Sequence, residues 1–295
     1  MTSVGVIAHQ NKTLGGGLAE LRRLLADRGF SDPVWYEVAK SREAPRMARK
    51  AVEDGADLLL LWGGDGTVQR CIGVLAGSGV TLAVMPAGTA NLLAGNLGVP
   101  IDLPAALDVA LHGFRRRIDV GVVNGERFAV MAGAGFDAIM MKKADGALKD
   151  HFGRLAYVWT GAWATQAKAP KMSIRVDGTA WFKGRASCVL LGNMGTLAGG
   201  LTAFPQARPD DGLLEIGVVT AQGPVQWARI LSRLATGHAD RSKLVHMTRG
   251  REVDVKLDRA TAYELDGGAR PAKRRLRVTV EPGAITVCVP DASVA

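Results

Sequence analysis

Aromatic residues and cysteines are scarce in this chain. Phe, Trp and Tyr together make up 5% of its 295 residues, and no basic stretch is interleaved with them. Stacking rings among cations are what a single-stranded nucleic acid needs from its groove, so nucleic acid is not an expected partner. The three cysteines, Cys71, Cys188 and Cys288, are far apart. They cannot build a disulfide framework or a zinc site of CxxC type. Five histidines are scattered singly, without metal-ligand spacing. No uncharged apolar run is long enough to cross a bilayer. The first residues lack the charged leader and apolar core of a signal peptide, which makes the cytosol the expected compartment.

Charge and apolar content, by contrast, are ample. Hydrophobic residues at 47% and charged residues at 22% describe a chain that buries a core. Lys and Arg number 37 against 28 Asp and Glu, a net charge of +9. Such a surface attracts nucleotides or the anionic face of a membrane, although solubility alone would also account for it.

Up to about residue 120, two periodicities alternate. Val4–Ala8, Val34–Val38, Leu58–Trp62 and Leu82–Met85 read as short buried strands. Between them, helical spacing recurs at Leu18, Leu21, Leu24 and Leu25, from a cap at Ser41 through Val52, near Val68–Leu75, and near Asn91–Leu97. Strand and helix in alternation predict an α/β domain, with a parallel sheet and helices on both faces. After about Arg117, short strand candidates take over: Ile118–Val123, Phe128–Ala132, Met172–Val176, Ser187–Gly192, Leu213–Val219, Val253–Leu257, Leu276–Val280 and Ile285–Val289. Helical stretches at Phe152–Ala167 and Val225–Thr236 interrupt them. The pattern predicts a second, mostly antiparallel β domain over 121–295, whose last residues could return to the first domain over 1–120.

Two loops carry the chemistry. Gly63-Gly64-Asp65-Gly66-Thr67 follows one strand directly, and Gly88-Thr89-Ala90-Asn91 follows the next. Glycines between a strand and a helix leave backbone N–H groups open to phosphate at a positive helix end. Thr67 is placed to cap that helix or to bond a phosphate oxygen. A single loop of this kind is also an ordinary tight turn. Two of them at the carboxyl ends of neighbouring parallel strands point to a nucleotide site. The P-loop spacing is absent. Gly133-Ala134-Gly135-Phe136-Asp137-Ala138 fits a loose dinucleotide fingerprint, without the later strand and terminal acid that would support it.

These two loops resemble the catalytic domain of the bacterial diacylglycerol kinase and sphingosine kinase superfamily. The likeness continues through Ala132–Asp137, Gly153–Tyr157, Gly192-Asn193, Pro209–Glu215 and Leu265-Asp266-Gly267, over nearly the whole chain. It implies a lipid kinase of two domains, with ATP in the cleft between an α/β domain and a β-sandwich. ATP would meet Ser41, Gly63, Gly64, Asp65, Gly66, Thr67, Val68, Gln69 and Thr89, with Asn91 helping to fix it. Mg²⁺ would sit on Asp211 and on the main-chain oxygens of Arg208 and Leu213, a donor set suited to a hard ion. The pair Asp210-Asp211 before Gly212 also reads as a plain β-turn. The acceptor would be a lipid at a membrane surface, diacylglycerol or a related lipid, met by peripheral contact with the inner face.

One position departs from the family pattern. Where the resemblance implies Asp-Gly-Glu, with the Glu as general base, this chain has Asp266-Gly267-Gly268. Glycine cannot take a proton, so an active enzyme needs another carboxylate to orient the acceptor. Asp266 and Asp65 are the leading candidates. Asp137 is a third, and Glu264 a fourth because alternation along a strand would set it on the face of Asp266. Phe152, Leu155, Tyr157, Val158, Trp159 and Trp163 could form an acyl channel or a membrane-embedding face, or pack as core. Arg270, Lys273, Arg274, Arg275 and Arg277 form a basic cluster open to phosphates, headgroups or solvent. A kinase of NAD-kinase type and a nucleotide-binding regulator without catalysis are the alternative readings.

Overall fold

The computed structural model describes residues 3–135, 169–236 and 242–291. The chain forms two compact units, one of Met1–Val120 with Pro282–Ala295 and one of Gly121–Glu281.

The first unit is an α/β layer structure. Strands β1 (Val4–His9), β2 (Val34–Val38), β3 (Leu58–Gly63) and β4 (Thr81–Pro86) run parallel in the order β4-β3-β1-β2. β1 and β3 are buried at every residue. That is why Leu58-Leu59-Leu60-Leu61-Trp62 carries no polar alternation: both faces of a parallel sheet are covered. The crossovers are α1 (Gly17–Asp27), α2 (Ala44–Glu53) and α3 (Asp65–Leu75). Next come α4 (Leu92–Asn96) and α5 (Leu103–His112). α5 has no counterpart in the sequence reading, although its signals are there. Asp102 caps it by accepting from the Ala105 N–H at 3.0 Å, and a proline stands in its first turn. The chain returns at the end, where Thr286 and Val287 pair in parallel with Thr81 and Leu82.

Ser41 does not cap α2. Its cap residue is Glu43, whose carboxylate instead accepts from the N–H groups of Ala39 and Lys40 and folds the turn before the helix.

The second unit is antiparallel. Its strands are the end of β5 (Phe114–Val123), β6 (Glu126–Phe128), β7 (Met131–Ala134), β8 (Lys171–Val176), β9 (Thr179–Arg185), β10 (Cys188–Gly192), β11 (Leu214–Val219), β12 (Val245–Gly250), β13 (Glu252–Leu265) and the first part of β14 (Gly268–Val289). One helix, α6 (Gly223–Ala235), is described here. β13 builds the layers. Val253–Leu257 pairs with β8, then the register shifts between Lys256 and Tyr263, and Tyr263–Leu265 pairs with β7. Such an irregularity bends a strand and lets it serve two sheets. Phe128, Ile174, Leu191, Ile216, Val255, Leu265 and Leu276 share the core between the layers.

Three sequence expectations change. Phe128–Ala132 is not one strand but the end of β6 and the start of β7, broken at Ala129 and Val130. Leu276–Val280 and Ile285–Val289 are parts of the single element β14. β7 runs antiparallel to β10 and β13, so the fingerprint at Gly133 lacks the parallel strand it requires. β9 and β12 have no counterpart among the expected strands: Trp181 and Phe182 are both half-buried, and β12 mixes half-buried with exposed residues, so neither shows a clean alternation. The helix expected at Phe152–Ala167, its six crowded apolar residues, the Gly153–Tyr157 segment and Asp137 lie outside the described residues.

Candidate active site

The strand order places β1 between β2 and β3, so the chain reverses its winding there. Open parallel sheets bind ligands outside the carboxyl ends of strands at such a point. The β1 loop is pinned there by the Trp62 indole N–H, which donates to the Lys12 carbonyl at 2.9 Å.

The two small-residue loops meet on this edge. Gly63 of β3 pairs in register with Pro86 of β4. A Cβ on Gly88 would lie 2.5 Å from the Gly64 Cα, so the backbones touch where neither has a side chain. Asp65 joins them, its carboxylate accepting from the Leu92 N–H at the start of α4. Asn91 clips the second loop from within. It is 5% exposed and left-handed at φ 46°, its Oδ1 accepts from the Gly88 N–H at 2.8 Å, and its Nδ2 donates to the Pro86 and Gly88 carbonyls at 3.0 Å.

Thr67 is 1% exposed, in the first turn of α3. It does not cap that helix, which starts at Gly64 without a side-chain cap. Its hydroxyl lies 3.0 Å from the Ser41 hydroxyl. Ser41 and Thr67, named separately in the sequence, are therefore one contact. Val68 and Gln69 are buried, Gly64 and Asp65 half-buried, and Gly66 and Thr89 exposed. The surface offered to a ligand is thus mostly main chain at Gly64 and Gly66 with the Thr89 side chain. The uncapped N–H groups of α3 and its dipole favour an anion there.

In the second unit, Asp266 and Gly267 form a two-residue hairpin turn, with φ of 46° and 75° and Leu265 paired to Gly268. The Asp266 carboxylate is 6% exposed and accepts three backbone bonds, from the N–H groups of Ala129, Val130 and Met131, each at 2.9 Å. It ties the hairpin to the break between β6 and β7. Glu264 stands opposite Gly133, still within β13. β13 ends at Leu265, so strand periodicity does not relate Glu264 to Asp266, which lies in the turn. Above the bare Gly268, Arg270 donates to the Gly268 carbonyl at 3.1 Å and pairs with Glu126, a contact that sequence spacing could not show.

Asp211 is exposed, and its Oδ1 accepts from the Leu213 N–H at 3.0 Å. This is the local turn that its sequence permits. Arg208 is exposed and Leu213 half-buried. Two strand residues on, burial raises the Glu215 carboxyl above its ordinary range, Arg249 at 3.4 Å draws it down, and the charge of Asp211 pushes it up again. Two repelling carboxylates are oxygen donors of the kind a hard divalent cation takes. No group of three or more His, Cys, Asp or Glu is placed to hold a metal among the described residues.

A parallel sheet whose paired small-residue loops leave backbone N–H groups open at a helix end is suited to holding phosphate. Residues 9–123 match the diacylglycerol kinase catalytic domain, and residues 130–289 match the YegS C-terminal NAD kinase beta sandwich-like domain. The chain belongs to this family of lipid kinases. It is 33% identical to a protein of Pseudomonas aeruginosa strain UCBPP-PA14 named "Probable lipid kinase YegS-like", covering 85% of this chain and 82% of that one. It is 27% identical to a Mycobacterium tuberculosis (strain CDC 1551) diacylglycerol kinase, covering 95% and 90%. In fold it is similar to the crystal structure of a diacylglycerol kinase from Bacillus anthracis str. Sterne, with a TM-score of 0.79 at 21% identity, covering 99% and 98%. The resemblance carried by the two loops therefore holds for the whole chain.

Proposed function

We propose that this lipid kinase takes the γ-phosphoryl group of ATP and passes it to the hydroxyl of diacylglycerol or a related lipid. The observation that carries the reading is the backbone contact of Gly64 with Gly88 at the carboxyl edge of β3 and β4. Two glycine loops locked together beside an uncapped helix end form a cradle for phosphate oxygens, and Gly66 leaves it open.

The lipid oxygen attacks the γ-phosphorus, the bond to the bridging oxygen of ADP breaks, and the hydroxyl proton is released. Backbone N–H groups at Gly64 and Gly66 would bind the phosphates, with the Thr89 hydroxyl beside them. The Ser41–Thr67 pair and Asn91 hold these loops in shape. Asp65 is the carboxylate we assign to orienting the acceptor, since Gly268 offers none. Asp266, committed to three amides, acts as a positioning residue. Asp211, with the carbonyls of Arg208 and Leu213, would hold Mg²⁺, a hard cation suited to oxygen donors. Contact with the membrane is peripheral on this reading. Among the described residues no helix is long and apolar enough to cross a bilayer.

The test is direct. Purified chain is incubated with labelled ATP, Mg²⁺ and, in separate arms, dispersed diacylglycerol, a long-chain base and NAD. Label in a lipid is the expected result. Label in NAD alone, or in no acceptor from a total lipid extract, would overturn the proposal.

A further inference from the structure

The outward face of one β layer in the second unit carries far more cations than its own fold uses. Strands β14, β13, β8 and β9 lie side by side, and their register sets which residues share that face. One row across it reads Arg277, Asp254, Arg175. The next reads Arg275, Lys256, Ser173, Lys183. On the last two strands, Lys171 stands opposite Arg185. The residues between them, Val253, Val255, Ile174 and Leu276, point the other way into the core. The acids on these strands and their turns include Glu252, Asp254, Asp258, Asp177 and Glu281; Asp254 is taken up by Arg275 through two bonds of 2.7 and 2.8 Å, Glu281 by Arg127, and Asp177 by the N–H groups of Arg251 and Glu252. Lys171, Lys183 and Lys256 are exposed and make no ion pair among the described residues.

Two pairings matter most. Lys256 lies directly across from Arg275, and Lys171 directly across from Arg185. Like charges facing each other across strands destabilise a sheet. A face that only had to be wetted would alternate its signs. Cations set against cations lose that repulsion when an anionic surface neutralises them together.

We propose that this face docks the enzyme onto the anionic headgroups of a lipid bilayer. The occupant follows from charge and from chemistry. The family's substrate is a lipid, so the enzyme must come to a membrane surface. Four strands at a spacing of about 4.8 Å spread the cations over a broad patch, suited to many headgroups and not to one ligand. The face carries no aromatic ring, because Trp181 and Phe182 pack against the core, so unpaired bases have nothing to stack on. Attraction to such a membrane decays within a Debye length of about 8 Å at physiological salt, which requires direct contact.

The inference rests on the lipid-kinase reading, and the two can fail separately. Full-length chain is sedimented with vesicles of phosphatidylcholine alone or mixed with phosphatidylglycerol. Binding is expected only to the mixed vesicles and should weaken as salt is raised. The triple variant Lys171→Gln, Lys183→Gln, Lys256→Gln should lose on the order of 100-fold in partition, and the corresponding Glu variant more. Neither variant should unfold earlier than the wild type, since each relieves cross-strand repulsion, and both should keep the wild-type activity on detergent-dispersed diacylglycerol. Unchanged binding by the Glu variant, equal binding to neutral vesicles, or capture of polyribonucleotide in preference to anionic vesicles would overturn the proposal. Vesicle binding with no kinase activity in any form would leave the docking face standing and remove the proposed reaction.

Discussion

At Gly88 a single methyl group decides between two loops and one site. A Cβ there would lie 2.5 Å from the Asn91 Oδ1, a side chain held by its bonds to Pro86 and Gly88, and 2.5 Å from the backbone Cα of Gly64. Gly88→Ala is expected to cost about 1–3 kcal/mol in urea unfolding and to abolish phosphoryl transfer. Gly66 is the control, since a Cβ there meets nothing within 4 Å. Gly66→Ala should keep or slightly raise stability, by up to about 1 kcal/mol. It should still lower ATP-dependent turnover at least tenfold if phosphate lies against that backbone, and full turnover would place the nucleotide elsewhere. Asp266 separates structure from chemistry in another way. Asp266→Ala strands three buried N–H donors and is expected to cost about 3–5 kcal/mol. Its lost activity should follow its lost stability. A stable but inactive variant would return Asp266 to the reaction itself.

At the scale of the element, helix ends and strand pairs have their own measurable terms. Asp102→Ala removes the cap of α5 and should cost about 1 kcal/mol. β13 and β14 are joined on their outward face by Asp254 and Arg275. The hydrogen bonds from Arg275 hold the Asp254 carboxyl below the usual carboxylate range, with burial opposing them more weakly. A carboxyl whose folded pKa lies below its unfolded one contributes stability above the unfolded value and loses it as pH falls through the folded one. The pair is partly exposed, and solvent screening keeps its worth small. Asp254→Asn should therefore lower the urea midpoint at neutral pH, and the gap should close as pH is taken well below 3.8. A gap that persists in strong acid would mean the residue acts by packing.

Across the whole molecule, burial silences the thiols. Cys71, Cys188 and Cys288 are all buried and unpaired. Desolvation pushes the Cys71 thiol up to about 12 and Cys288 up to about 11, and moves Cys188 in the same direction. Thiolates are the reactive form, so a disulfide reagent near pH 8 should modify none of the three in the folded chain and all three in denaturant. Fast reaction of one thiol under native conditions would reveal local opening of the unit that holds it.

The sequence alone determined the α/β start, the antiparallel continuation and the two glycine loops, because each is written in local terms. An unbroken apolar run marks a strand covered on both faces, and glycine between strand and helix marks a place where backbone must be bare. What the loops do to each other was decided by tertiary structure. The contact of Gly64 with Gly88, the bond from Leu92 to Asp65, the shared hydrogen bond of Ser41 and Thr67 and the three amides on Asp266 all join residues that chain order keeps apart. The same holds for the cationic face. Arg275 and Arg277 show as a basic run, but Lys171, Lys183 and Lys256 join them only through strand register. Local pattern reports what a segment can bury. Pairing between distant segments sets which charges and donors meet, and no window along the chain contains that information.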